Sequence, residues 1–353
     1  MIMRSLPTPC LRPHCLDPER SQANHERRGH LDIALLVILF FFTLSLSAQT
    51  VRTQTIELQA GWNAIFIEVE PAAPAPADVF EGAPVEIVST YFADKSPVEF
   101  IRDPDEQSWT DSGWSTWYAP ERDDAFLSKL HAIQANQPYL VKMSAAHSLI
   151  IEGEVKFKHL VWQPSSLNFV GFHVHGTSPP TFETFFADST ALAGQRVYKL
   201  VDGHWRIVTN PTGETIQAGT AYWVYCKKGS AHQGPLTVAI PYGDSIDFGG
   251  RSTIQTINMT NTGTDPVDVT ITDLGRTLPM AYRVYDPDTG ETTYTDLPAS
   301  LAIATLDPGG SYTLSLLVKR EDFTEQEQST ILKIATDSGV ILHVAVLAKD
   351  GAE

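Results

Sequence analysis

The chain has 353 residues, 42% hydrophobic and 19% charged, with 23 Gly and 23 Pro, a composition that excludes a disordered or low-complexity protein and has room for two or three domains. Lys and Arg number 25 against 42 Asp and Glu, a net charge of -17; duplex-binding proteins usually carry a basic stripe, so no nucleic acid partner is expected. Three Cys are too few for a disulfide scaffold.

The first legible element is an export address. Residues 33–48 read IALLVILFFFTLSLSA, preceded by Arg27 and Arg28 and closed by Ser45, Ser47 and Ala48. A basic flank, a short apolar run and small exit residues describe a secretory signal peptide over 1–48, with an extended n-region and cleavage near Ala48. The run falls short of the roughly 18–20 residues that cross a bilayer comfortably. A membrane is therefore expected only through this segment, if it stays uncleaved. Residues 1–48 hold five Arg and four acids, so the mature chain keeps 20 basic and 38 acidic residues, with Cys226 as its one thiol. The expected location is secreted or cell envelope, periplasmic or extracellular.

Two copies of one β unit follow. The stretch I-Q-A-N-Q-P-Y-L-V at 133–141 recurs as I-Q-A-G-T-A-Y-W-V at 216–224, an offset of 83. Upstream, 62–69 faces 167–174 at an offset of 105, which also carries Phe80 onto Phe185. The first unit thus spans 49–155, with an insertion at about 93–125, and the second spans 156–240. Alternation within each is that of strands: Ile65, Ile67 and Val69 share one face, and Tyr139, Val141 and Met143 another. Short helical pieces fit only at 77–81 and 181–187. Asn63 and Asn168 recur at turns, where an Asn side chain bonds nearby backbone.

Residues 241–353 form a third module. Strands are expected at 253–261, 267–273, 311–319, 331–336 and 340–347, the last two joined across Asp337-Ser338-Gly339. About seven short strands with turns throughout predict a β-sandwich. The fold class is all-β: two repeated small antiparallel units, each with one short helix, then an immunoglobulin-like sandwich.

The stretches TIQTINMTNTGTDPVDVTIT at 253–272 and LDPGGSYTLSLLV at 306–318 resemble the bacterial immunoglobulin-like modules of secreted and surface proteins. The A-G-W-N stretch at 60–63 with Y-L-V-K-M at 139–143 is similar to GWN-type β repeats of exported bacterial proteins. This chain departs from that pattern in Ala64-Ile65-Phe66 and in Leu167, which stands where Trp is expected. The resemblance implies an adhesive, scaffolding or accessory role.

Catalytic motifs are missing. The mature chain has no G-x-S-x-G, H-E-x-x-H or P-loop pattern. His173 and His175 share a strand face and are a weak metal pair; the repeat places Glu68 and Glu70 at the same positions, so a polar solvent side is the plainer reading. No third ligand is evident, and no cofactor is expected. Asp286-Pro287-Asp288-Thr289-Gly290-Glu291 begins like a calcium loop but lacks its distant Glu, and reads as a hairpin turn. Cys226 aligns with Met143 and reads as core.

The aromatics carry the remaining signal. Trp223 and Tyr225 lie on the face opposite Tyr222, Val224 and Cys226. That face is either an exposed platform for a sugar or an aromatic partner, or a surface packed on another module. The insertion holds Trp109, Trp114, Trp117 and Tyr118 among acids, either as a protruding binding loop or as a hairpin in which Trp114 or Trp117 matches Trp205. The reading is an exported, non-enzymatic structural, adhesive or binding module whose partner is an envelope protein or glycan. Its alternatives are a carbohydrate-binding protein using Trp109, Trp114, Trp117, Tyr118, Trp223 and Tyr225, and an enzyme with an unrecognised site.

Overall fold

The computed structural model describes residues 50–92 and 113–351. The signal-peptide reading, residues 93–112 of the insertion and Trp109 lie outside them. The first part contains β1 (Val51–Leu58), β2 (Gly61–Ile67), β3 (Val69–Pro71), α1 (Pro76–Val79), β4 (Val85–Tyr91), β5 (Trp114–Tyr118), β6 (Gln137–Met143) and β7 (His147–Val155). The second contains β8 (Ser166–Gly171), α2 (Phe182–Phe186), β9 (Val197–Val201), β10 (His204–Ile207) and β11 (Ala221–Cys226). Pro76 opens α1, where its missing N–H is no loss. Thr181 caps α2, its hydroxyl accepting from Thr184 N at 3.1 Å.

Two four-stranded sheets share one strand order, β2-β6-β4-β5 and β8-β11-β9-β10. Asn63 lies opposite Val141 and Asn168 opposite Val224, pairs equated by the two sequence offsets. Each Asn closes its turn in the same way. Asn63 Oδ1 accepts from Gln59 N at 2.9 Å while its Nδ2 donates to Gln59 O at 2.8 Å. Asn168 bonds Gln163 N at 2.7 Å and Gln163 O at 3.1 Å. Likewise, the Tyr139 hydroxyl accepts from Gln134 N and the Tyr222 hydroxyl from Gln217 N, at 2.8 and 2.9 Å.

Each sheet packs apolar side chains on both faces. One face of the first packs Ile65, Ile67, Val141 and Met143 against Phe80 and the small sheet β1-β7-β3. One face of the second packs Phe172, Tyr222, Val224 and Cys226 against the phenylalanines of α2. The other two faces meet each other. Trp62, Ala64, Tyr91, Trp114, Tyr118 and Leu140 interlock with Leu167, Phe169, Trp205, Ala221 and Trp223.

The third part has ten strands: β12 (Leu236–Ala239), β13 (Ile246–Asp247), β14 (Ile254–Asn261), β15 (Val269–Asp273), β16 (Met280–Tyr285), β17 (Thr292–Asp296), β18 (Ser300–Ala302), β19 (Ser311–Val318), β20 (Glu327–Thr336) and β21 (Ile341–Lys349). They form sheets β12-β14-β19-β16-β17 and β13-β21-β20-β15-β18, a sandwich closed on Ile257, Met259, Leu314, Leu316, Leu332 and Val344.

Two element assignments differ from expectation. The strand at 236–239, read as the end of the second unit, pairs with β14, and its inward Leu236 and Val238 belong to the sandwich core. Trp114 to Tyr118, read within the insertion, are a strand of the first sheet paired with β4. Trp114 stands opposite Tyr91 as Trp205 stands opposite Leu200, so Trp114 is the match to Trp205.

Candidate functional site

The face bearing Trp223 is a packed interface rather than a platform. Trp223 has no exposed surface. Its ring stacks on Phe169 at 5.0 Å and meets Tyr91 at 5.3 Å, Trp114 at 6.3 Å and Trp205 at 6.4 Å. Trp114 and Tyr118 are buried in the same interface. Trp117 points to the opposite face, half-buried against the core beneath α1. Tyr225 is half-buried with the Arg196 guanidinium 5.3 Å from its ring centroid. Of the two readings of the β11 face, packing on another module holds for Trp223, because apolar faces of two sheets remove more surface from water by meeting each other.

His173 and His175 do not converge. His175 Nδ1 accepts from Thr177 N and Ser178 N, each at 3.1 Å, and so caps its own turn. His173 turns into the contact between the three parts. There Arg52 pairs with Glu68, and His173 Nδ1 lies 3.6 Å from Glu68 Oε2. The other ring nitrogen donates to Asn136 Oδ1 at 2.7 Å. The Glu68 side chain is 11% exposed, so the solvent face expected for Glu68 and His173 is in fact covered. Burial pushes the Glu68 carboxyl up, but His173, Arg52 and His343 together outweigh it and hold the group at about 2. Burial first, then the Arg52 charge, pushes His343 down to about 3. No group of three His, Cys, Asp or Glu able to hold a metal occurs among the described residues.

Backbone bonds weld the same region. Phe66 N donates to Gly219 O at 2.8 Å, Ile341 N to His173 O at 3.1 Å and His175 N to Gly339 O at 2.8 Å. Phe66 packs directly on Gly171, where an added Cβ would sit 2.0 Å from Phe66 Cγ. Phe66 and Gly171 are equivalent positions at the 105 offset. That Phe-for-Gly exchange is the sequence signal that marks the contact.

A cavity of about 310 Å³ lies beside this junction. Phe66, Phe157, Phe169, Phe172 and Phe185 line it, with Tyr91 and His173. Lys158, His159 and Val161 also line it and are exposed, which places its mouth at the connector between β7 and β8. Among the described residues no acidic side chain lines it. Sequence reading missed the cavity because its walls come from all three parts.

No protein-family model matches the chain, and no curated protein matches it. Solved structures that it is similar to include the ASH/PapD-like domain of human CEP192, at 12% identity and a TM-score of 0.22 over 34% of this chain and 87% of that one. The YadV chaperone matches at 10% identity and a TM-score of 0.24 over 33% of this chain and 53% of that one. The CsuC–CsuE chaperone–tip adhesion subunit complex of Acinetobacter baumannii matches at 15% identity and a TM-score of 0.20, over 32% and 57%. This chain spans little more than half the length of those two. Likeness at this level carries no argument about function.

Proposed function

We propose that this chain is an exported, non-enzymatic structural, adhesive or binding module of a bacterial cell envelope or extracellular protein. In this reading two copies of one β unit are locked face to face and joined to an immunoglobulin-like sandwich. The observation that carries it is the use made of the aromatic side chains. Trp62, Tyr91, Trp114, Phe169, Trp205 and Trp223 are gathered in the core between the two sheets, where they supply cohesion. The glycan alternative loses its platform with Trp223. Among the described residues no helix is long and apolar enough to cross a membrane; in this reading the apolar 33–48 stretch is the export signal because of its basic flank and small exit residues.

The test is to express the full gene in a bacterial host, fractionate the cells and sequence the protein's amino terminus by mass spectrometry. A processed chain beginning near Gln49 in the periplasm or medium, inert in a hydrolase and transferase screen, is the expected result. Intact protein retaining residues 1–48 in the cytoplasm, or turnover by the pure protein, would overturn it.

A further inference from the structure

We propose that the junction cavity binds a small aromatic carboxylate carrying a ring hydroxyl. Four features of the site converge on this chemistry. Its walls include Phe66 of the first part, Phe157 of the connector, Phe169, Phe172 and Phe185 of the second part, and Val340 and Leu342 of the third, with Phe172 and Phe185 meeting edge to face at 4.8 Å; a guest ring adds to such an arrangement through edge and face contacts. Its volume, about 310 Å³, sits at the low end of small-molecule sites and suits one ring with a short side chain.

The charge at the mouth selects the sign of the guest. The mature chain holds 38 acids against 20 bases, yet the lining carries Lys158 at its exposed rim and no acid among the described residues. An anion approaching an acidic surface is favoured at this cationic rim.

Inside, Tyr91 is 6% exposed, lines the cavity, and has a hydroxyl with no hydrogen-bond partner. A buried hydroxyl left unpaired is costly, and native interiors almost always satisfy such groups. A guest hydroxyl completes it. The guest thus has a carboxylate at Lys158, a ring between the phenylalanines and a hydroxyl at Tyr91.

The experiment is calorimetric titration of the purified protein with para-hydroxyphenylacetate, phenylacetate and tyramine. Phenylacetate lacks the hydroxyl, and tyramine replaces the carboxylate by an ammonium. We expect one site, with para-hydroxyphenylacetate binding about fivefold tighter than phenylacetate and about tenfold tighter than tyramine. Lys158→Glu alters only an exposed side chain and so leaves folding intact. It should weaken para-hydroxyphenylacetate about fivefold or more and narrow the gap to tyramine. Tyr91→Phe should erase the advantage of the hydroxyl while phenylacetate binds as before. The proposal is overturned if tyramine binds as well as the carboxylates, if neither variant changes the affinity, or if no ligand binds at millimolar concentration. None of these outcomes bears on export or on the absence of turnover, so the structural reading stands or falls separately.

Discussion

Replacing Trp223 by Ala tests the interlocked sheets directly. The indole is fully buried, and a Trp hides about 150–250 Å². At about 25 cal/mol per Å² this is roughly 4–6 kcal/mol of transfer free energy, close to the ~3–5 kcal/mol measured for large-to-small aromatic changes in cores. Trp223 also stacks on Phe169 and touches three further rings, so little nearby can collapse into the hole without breaking other contacts. A loss of about 4 kcal/mol follows. At about 2 °C per kcal/mol in a chain this long, Tm falls by about 8 °C. Urea titration followed by tryptophan emission and circular dichroism is the assay, with the midpoint falling and the slope unchanged. Tyr285→Ala, at a position 59% exposed, is the control and should move stability by less than about 0.5 kcal/mol. A Trp223→Ala cost below about 1 kcal/mol, with the native indole readily quenched by acrylamide, would refute the packing argument and return the platform to consideration.

Acid should loosen the junction between the three parts. Glu68 sits at about 2 in the fold against 4.5 for a free carboxyl, so its contribution of about 3 kcal/mol is present above pH 4.5 and lost as pH falls toward 2. His343 sits at about 3 against 6.5, so the unfolded chain takes its proton first and stability declines from pH 6.5 downward. Both groups act in one direction, and a urea midpoint that stays flat from pH 7 to 4 would contradict them; Arg52, His173 and Lys333 are the charged or titratable groups that also act on His343. Gly171→Ala should destabilise by about 1–3 kcal/mol through overpacking on Phe66, and adding Phe66→Ala should cost less than the sum of the two single changes, a coupling read by a double-mutant cycle. Cys226 is buried, its Sγ donates to Lys228 O at 2.9 Å, and burial pushes the thiol up. It should react with a disulfide reagent only on unfolding, and fast labelling of the native protein would show the site to be open.

Local chemistry was readable residue by residue. Ile65 and Ile67 share a buried face of β2, while Val69 stands on β3 of the small sheet and buries in the same core. Asn63 and Asn168 close matched turns. The acidic hexapeptide beginning at Asp286 joins β16 to β17, which pair from Tyr285 opposite Thr292. Cys226 is core. These depend on neighbours a few residues away or on one face of one strand, and a sequence displays such neighbours in order.

Which face meets which partner was not readable. Trp223 and Tyr225 share a parity, but one is sealed between sheets while the other is half-exposed. Glu68 and His173 have the alternation of a solvent side and are nonetheless partly buried where Arg52 and Asn136 reach them. The strand at 236–239 adjoins the second unit along the chain and completes the sandwich in space. The sequence by itself determined the all-β class, the strand periodicity and the matched turns, because backbone sterics and alternation act over short spans. Only the tertiary structure decided the aromatic interface, the buried charge cluster and the cavity, because each forms where surfaces distant in sequence exclude water together.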